Sequence, residues 1–267
     1  MVIEVAPLAS AGDKMKEIQG ICLDIDDTLS TDGKLTASAY NALWMLRDAG
    51  FKVVPVTGRP AGWCDHIARF WPVDAVIGEN GAFVMYMEDG ALHRFNVLGE
   101  QKSLAAQEKL TDLRSEIEKN FPSAKLASDQ RYREFDLAID ICEDVSTWEN
   151  HEVEKLLNFC YEKGAHAKLS SIHVNTWYGD YDKQSAFKEW IKRGAPGVEG
   201  KIPSHNQWIY IGDSPNDAPA FDFFKYSVGV ANLKKYLPII KTPPTWITSK
   251  KSGEGFVELA KMLCSSR

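Results

Sequence analysis

Gly20-Ile21-Cys22-Leu23-Asp24-Ile25-Asp26-Asp27-Thr28 places a short apolar run directly before three carboxylates in four positions. Such a run, at residues 20–24, predicts a strand buried on both faces, as in a parallel sheet. The carboxylates then crowd the carboxyl end of that strand, where open α/β sheets place their ligands. Like charges so close disfavour joint ionisation unless a cation neutralises them.

Working outward, residues 36–49 set Ala39, Leu43 and Leu46 at helical spacing and stop at Gly50, suited to a left-handed cap. A strand at 51–56 follows. Later come a helix at 185–193, a strand at 207–211, a helix at 218–224, strands at 227–230 and 245–248, and a closing helix at 254–263. This alternation argues for βαβ units. Between the two halves the rhythm changes. Residues 82–87 and 91–95 flank Glu88-Asp89-Gly90, a hairpin signal. Helical stretches near 100–118 and 148–163 are each followed by strands. Of these, 135–141 puts Phe135, Leu137, Ile139 and Ile141 on one face and Glu134, Asp136, Ala138 and Asp140 on the other. Residues 172–177 alternate likewise, with His173, Asn175 and Trp177 on one face, so this sheet is expected to carry helices on one face and leave the other open. The expectation is a Rossmann-like parallel α/β core, residues 20–80 and 179–267, carrying an inserted α+β cap, residues 81–178. Residues 1–19 read as an uncleaved, partly mobile tail, because Glu4, Pro7 and Asp13 interrupt any signal-peptide pattern.

Composition bounds the function. The 267 residues are 44% hydrophobic and 25% charged, as in globular chains. A net charge of −6 offers no general field for a phosphate backbone, so nucleic acid is disfavoured as a partner. No apolar run approaches the roughly 20 residues of a membrane span. Five cysteines without CxxC spacing suggest reduced thiols and a cytoplasmic setting.

A second acidic cluster, Ile211-Gly212-Asp213-Ser214-Pro215-Asn216-Asp217, follows another apolar strand. Two acidic strand ends in one sheet suggest a shared hard cation, and oxygen ligands suit Mg²⁺. Thr57-Gly58-Arg59 ends the 51–56 strand with neutral donors suited to a phosphoryl oxygen. Lys183, after Asp182 and before a helix, offers an ammonium to carboxylate and phosphoryl group together. Each signal is weak alone: an Asp-rich turn is more often a cap, and a Lys is usually solvated.

Together these residues resemble the haloacid dehalogenase superfamily of phosphatases. Its DxDx[TV] motif matches Asp24, Asp26 and Thr28; its second motif Thr57; its third Lys183; its GDxxND motif Gly212, Asp213, Asn216 and Asp217, all in family order. The insert between the second and third motifs looks like the type C2 cap of subfamily IIB, as does Asn80-Gly81 at the cap entry. The stretch from Gly212 to Pro219 looks most like the sucrose-phosphate and mannosyl-phosphoglycerate phosphatase branches. Many IIB members carry Asp-Lys-Gly where this chain has Asp182-Lys183-Gln184, a departure that touches loop geometry and spares the Lys. The resemblance implies Mg²⁺-dependent hydrolysis of a small phosphate monoester, with a sugar phosphate favoured. Asp24 would be the nucleophile and Asp26 the general acid/base. Mg²⁺ would be held by Asp24, the Asp26 carbonyl, Asp213 and Asp217. Thr57, Gly58, Arg59, Asn80, Lys183 and Asn216 would bind the phosphoryl end, and His173 and Trp177 of the cap a polar sugar. A sugar-phosphate mutase and a phospho-acceptor signalling module are the rival readings, and the oligomeric state is left open.

Overall fold

The computed structural model describes residues 5–170 and 172–267. The strands, in chain order, are β1 (Ala6–Pro7), β2 (Gly20–Leu23), β3 (Lys52–Pro55), β4 (Val76–Gly78), β5 (Phe83–Glu88), β6 (Ala91–Asn96), β7 (Lys125–Leu126), β8 (Asp136–Asp140), β9 (His166–Leu169), β10 (His173–Trp177), β11 (Trp208–Gly212), β12 (Tyr226–Gly229) and β13 (Trp246–Ile247). The helices are α1 (Ala37–Asp48), α2 (Ala61–Phe70), α3 (Glu100–Asn120), α4 (Asn150–Glu162), α5 (Lys183–Lys192), α6 (Ala218–Phe223) and α7 (Ser252–Ser265).

The core is a parallel sheet in the order β1-β13-β12-β11-β2-β3. Its central strands are buried on both sides because their alternate residues feed two separate cores. Ile21, Leu23, Ile209 and Ile211 pack with α1 and α7, while Cys22, Trp208 and Tyr210 pack with α5 and α6. Local signals agree with this placement. Thr36 caps α1 by accepting from Ala39 N at 3.3 Å, and Asp182 caps α5 by accepting from Ser185 N at 2.6 Å. Among the described residues no helix is long and apolar enough to cross a membrane.

Three sequence expectations change. The stretch read as a tail is packed where it is described: β1 pairs in parallel with β13, and Leu8, Met15 and Ile18 are buried in the α1/α7 core. Those three apolar side chains, spaced too irregularly for an amphipathic helix, anchor it; residues 1–4 lie outside the described residues. The hairpin β5-β6, expected to open the cap, instead pairs with β4, which touches the core sheet through a parallel bridge from Val56 to Ile77. Finally, the cap sheet, β7-β8-β10-β9 and antiparallel throughout, has α3 and α4 on one face as expected, but its other face is not open. Asp136, Asp140, His173, Asn175 and Trp177 are all buried there, against the core and the turns of the cap itself.

The turn between β4 and β5 passes close to the start of α5. Gly81 has φ +112°, and a Cβ there would lie 2.3 Å from the carbonyl oxygen of Asp182, so only glycine fits.

Candidate active site

Register explains why the two acidic clusters meet. β11 pairs with β2 so that Ile211 faces Leu23, and Asp24 N donates to Ile211 O at 3.0 Å. The carboxyl ends of these adjacent strands therefore deliver Asp24 and Asp213 side by side. Asp217 returns from the turn after β11, and one carboxylate oxygen of each of Asp24, Asp213 and Asp217 lies within 4.8 Å of the others. Gly212 makes room for that return, since a Cβ on it would sit 2.4 Å from Asp217 Oδ2.

Lys183, the first residue of α5, reaches into this cluster and donates to Asp24 Oδ1 at 2.6 Å and to Asp217 Oδ1 at 3.0 Å. Asp217 is fully buried and heavily engaged: it also accepts from Tyr210 OH at 2.6 Å, Asp213 N at 3.0 Å and Ser214 N at 3.2 Å. Burial opposes its ionisation, but Lys183 and these donors hold it below the usual carboxylate range. Asp213 is differently placed. It receives long contacts from Thr28 Oγ1 at 3.4 Å and Asn232 Nδ2 at 3.3 Å. Burial, then the Asp217 and Asp24 charges, push it up to about 9. Burial likewise pushes Asp24 up to about 7 against the pull of Lys183. Such carboxylates hold protons where a divalent cation would otherwise sit. An all-oxygen donor set, crowded and short of positive charge, fits Mg²⁺.

Asp24, Lys183 and Asp213 floor a cavity of about 350 Å³ between core and cap. Asp24, Asp26, Gly58, Arg59, Asn80, Lys183, Asp213 and Asn216 line it from the core, and Arg133, Ser170, His173 and Asn175 from the cap. Thr57 and Asp217, both named from the sequence, are 0% exposed and lie behind this surface; Thr57 Oγ1 accepts from Arg59 N at 3.1 Å. Asp26 does not join the Asp24 cluster: Arg59 grips it through three contacts of 2.6 to 3.0 Å while lying 4.4 Å over the Trp63 ring. Asn80 holds φ +58° and packs its amide on Gly58.

On the cap, His173 lines the cavity and its Nε2 pairs with Glu143 at 2.9 Å. Trp177 does not line it. It is 2% exposed and packs with Ala61, Cys64, Phe83, Phe135 and Tyr181, so a position read as sugar-facing is the joint between cap and core. Strand alternation gave its face correctly; what it could not give is that the hinge end of that face lies flush on α2. Glu134 turns to Arg94 and Arg131 to Tyr132, and neither lines the cavity.

Sequence reasoning missed four groups. Asn232 follows β12, takes Ser252 N on its Oδ1, and donates to Asp27 O at 3.0 Å as well as to Asp213. Its place at a third strand end of the parallel sheet was a usable signal. Tyr210 looked like core aromatic and carried no such mark. Glu79 and Asp129 belong to the network joining cap to core. The Glu79 carboxylate accepts from Ala61 N, Glu134 N and Phe135 N at 2.6 to 3.1 Å. Arg133 binds Asp129 and Asp136 and donates to Gly58 O at 3.0 Å. Glu79 and Phe135 are 56 residues apart and Gly58 and Arg133 are 75, separations that leave no local pattern, whereas Asp129 stands only four residues before Arg133.

A search among curated proteins finds no match. Among solved structures, a Thermoplasma acidophilum protein is similar at 18% identity and TM-score 0.72, covering 92% of this chain and 98% of its own. A haloacid dehalogenase-like hydrolase from Bacteroides thetaiotaomicron is similar at 15% identity and TM-score 0.66, covering 92% and 99%. The sucrose-phosphatase of Synechocystis sp. PCC6803, solved with sucrose and phosphate, is similar at 16% identity and TM-score 0.64, covering 92% and 98%. At these identities the likeness is one of fold. Residues 21–119 match the family model of haloacid dehalogenase-like hydrolases, and the chain as a whole has the α/β fold of those enzymes.

Proposed function

We propose that this protein is a Mg²⁺-dependent phosphatase that hydrolyses a small phosphate monoester, a sugar phosphate, through an aspartyl-phosphate on Asp24. The observation that carries this reading is the position of Asp24. It sits at the floor of an enclosed cleft with the Lys183 ammonium 2.6 Å away and the Asp213 and Asp217 carboxylates beside it. The likeness of fold to a phosphatase solved with sucrose and phosphate supports the sugar-phosphate part.

In this reading Asp24 attacks phosphorus and splits one displacement into two easier ones. Lys183 binds the charge on the phosphoryl oxygens, and the neutral donors of Gly58 and Asn80 line the same end of the cleft. Asp26 hands a proton to the leaving alkoxide and takes one from water in the second displacement. Arg59 fixes the orientation of Asp26 through its bidentate grip. Asp24, Asp213 and Asp217, with the Asp26 carbonyl, would hold Mg²⁺. When bound, the ion shields the carboxylate of Asp24 from the negative charge of the substrate. Tyr210 and the backbone N–H groups of 213 and 214 keep Asp217 in place.

The test is phosphate release from an aryl phosphate and a panel of sugar phosphates with Mg²⁺, for the native chain and for Asp24→Asn. Hydrolysis by the native chain alone is the expected result. Undiminished hydrolysis by a folded Asp24→Asn protein overturns the reading.

A further inference from the structure

We propose that the leaving group of the substrate carries an anion of its own, a carboxylate or a second phosphate, and that Lys168 on the inward face of the cap sheet receives it. This deepens the phosphoester reading above and rests on it. β9 pairs antiparallel with β10 so that Lys168 stands opposite Asn175, and directly opposed residues share a face. Asn175 lines the cavity, as do Leu169 and Ser170 next along the chain; Lys168 itself stands beside them, off the cavity wall.

A lysine on an edge strand ordinarily carries its ammonium out into water, where it also deters strand addition. Lys168 does the reverse. It is only partly exposed, and its ammonium lies 5.8 Å from the ring of Trp177, itself buried on the inward face. Burial, then the charge of Lys183, lower its proton affinity, with Asp182 and Asp217 acting the other way.

Its lack of a partner sets it apart. The cations that line the cleft and are withdrawn from water each have a carboxylate: Lys183 has Asp24 and Asp217, Arg59 has Asp26, and Arg133 has Asp129 and Asp136. Among the described residues the Lys168 ammonium makes no ion pair and no hydrogen bond, and it lies against the Trp177 ring alone. Withdrawing an ammonium from water without a counter-charge is costly. A ligand that places its phosphoryl group at Lys183 and a second anion at Lys168 would offset that cost. A neutral sugar would not, so among sugar phosphates the inference narrows the substrate to sugar bisphosphates and phosphorylated sugar acids.

Three esters on one three-carbon frame test this: glycerol 3-phosphate has no second anion, 3-phosphoglycerate has a carboxylate, and 2,3-bisphosphoglycerate has both a carboxylate and a second phosphate. Their affinities are measured by calorimetry with Mg²⁺ on the full chain carrying Asp24→Asn, so that binding is read without turnover. The two esters that carry a further anionic group are expected to bind at least about tenfold tighter than glycerol 3-phosphate. Adding Lys168→Met should bring that ratio to within about twofold, and Lys168→Arg should keep most of it. The readout is a ratio between ligands within one variant, so a general loss of affinity cancels. Whether 3-phosphoglycerate suffices or only the bisphosphate gains tells carboxylate from phosphate. A ratio near one before Lys168 is changed, a ratio that survives Lys168→Met, or no binding of any of the three overturns the proposal. Failure of the underlying reading would show separately, as absence of phosphate release from every ester by the native chain.

Discussion

The floor of the cleft and the joint between core and cap are both buried polar networks with the same formal surplus of two carboxylates, yet they meet it differently. At the floor, Asp24, Asp213 and Asp217 face a single ammonium, that of Lys183, and Asp213 receives only contacts of 3.3 and 3.4 Å. At the joint, Asp26, Asp129 and Asp136 face two guanidinium groups, Arg59 and Arg133, and the Glu79 carboxylate is met by backbone N–H groups at 2.6 to 3.1 Å. A network whose carboxylates are all met by close donors can be a permanent part of the fold. One whose surplus is left without close donors is built to accept something positive. The comparison teaches that unmet surplus, rather than burial as such, separates the reactive region from the structural one.

The largest expected effect breaks the comparison from the floor. Asp24→Asn should lower the rate of aryl phosphate hydrolysis by ~10³-fold or more, since it removes the nucleophile. The same change removes one of the surplus charges, so the metal-free protein should melt higher. A lower melting temperature would mean that the floor is not overcharged. At the joint the signs reverse. Trp177→Ala should cost about 3–5 kcal/mol of stability, the usual range for emptying a buried aromatic site. At a temperature where the variant is still folded, its activity should fall equally toward all esters. A selective change toward one sugar phosphate, seen by comparing kcat/KM across a panel, would return Trp177 to the binding face.

Legibility in the sequence divides along the same line. Asp24, Asp213 and Lys183 could be read because a parallel sheet gathers ligands at strand ends, and strand ends are local features of an apolar run and its next residues. The alternation of Ile21 and Leu23 against Cys22 fixed the two-sided burial of β2, and with it the layers. The joint could not be read, because Arg133 with Gly58 and Glu79 with Phe135 are contacts between distant segments of ordinary polar residues. Trp177 shows the limit within one strand: period two gave the face, while its depth came from the packing of α2. The hairpin β5-β6 was legible as a hairpin, but which sheet it joined depended on β4, only three residues long. The 5–19 segment was misjudged because its anchors, Leu8, Met15 and Ile18, follow no period.

A smaller effect sharpens the joint. Glu79 takes N–H groups from α2 and from the lead into β8 on both of its oxygens. Burial and the Asp136 charge raise its proton affinity, to about 8, against the pull of those donors. Glu79→Gln turns one acceptor into a donor that faces N–H groups, which should cost about 1–3 kcal/mol in denaturant unfolding. The direct prediction for function is a changed KM for large esters with aryl phosphate turnover little affected. An unchanged midpoint would show that the carboxylate contacts are not holding the cap.

The smallest effect is the most direct measure of the surplus, because it needs no substitution. The folded pKa values of Asp24 and Asp213, about 7 and about 9, stand above the ordinary 3.8. Between about pH 4 and 9 the folded metal-free protein therefore keeps protons that the unfolded chain has released, and its stability must fall as pH rises through that window. Asp217 works in the opposite sense, since its depressed value gives stability that is lost only in stronger acid, below the window. Raised Glu79 and Asp136 add to the decline, but they lie at the joint, away from the Asp24 cluster. Mg²⁺ exchanges for protons at the floor alone, so it should flatten part of the slope and leave the remainder. Melting temperatures from pH 5 to 9, with and without Mg²⁺, should diverge progressively as pH rises, by a few degrees. Parallel curves would mean that the cation does not take the place of protons on Asp24 and Asp213, and the contrast between floor and joint would fail at its base.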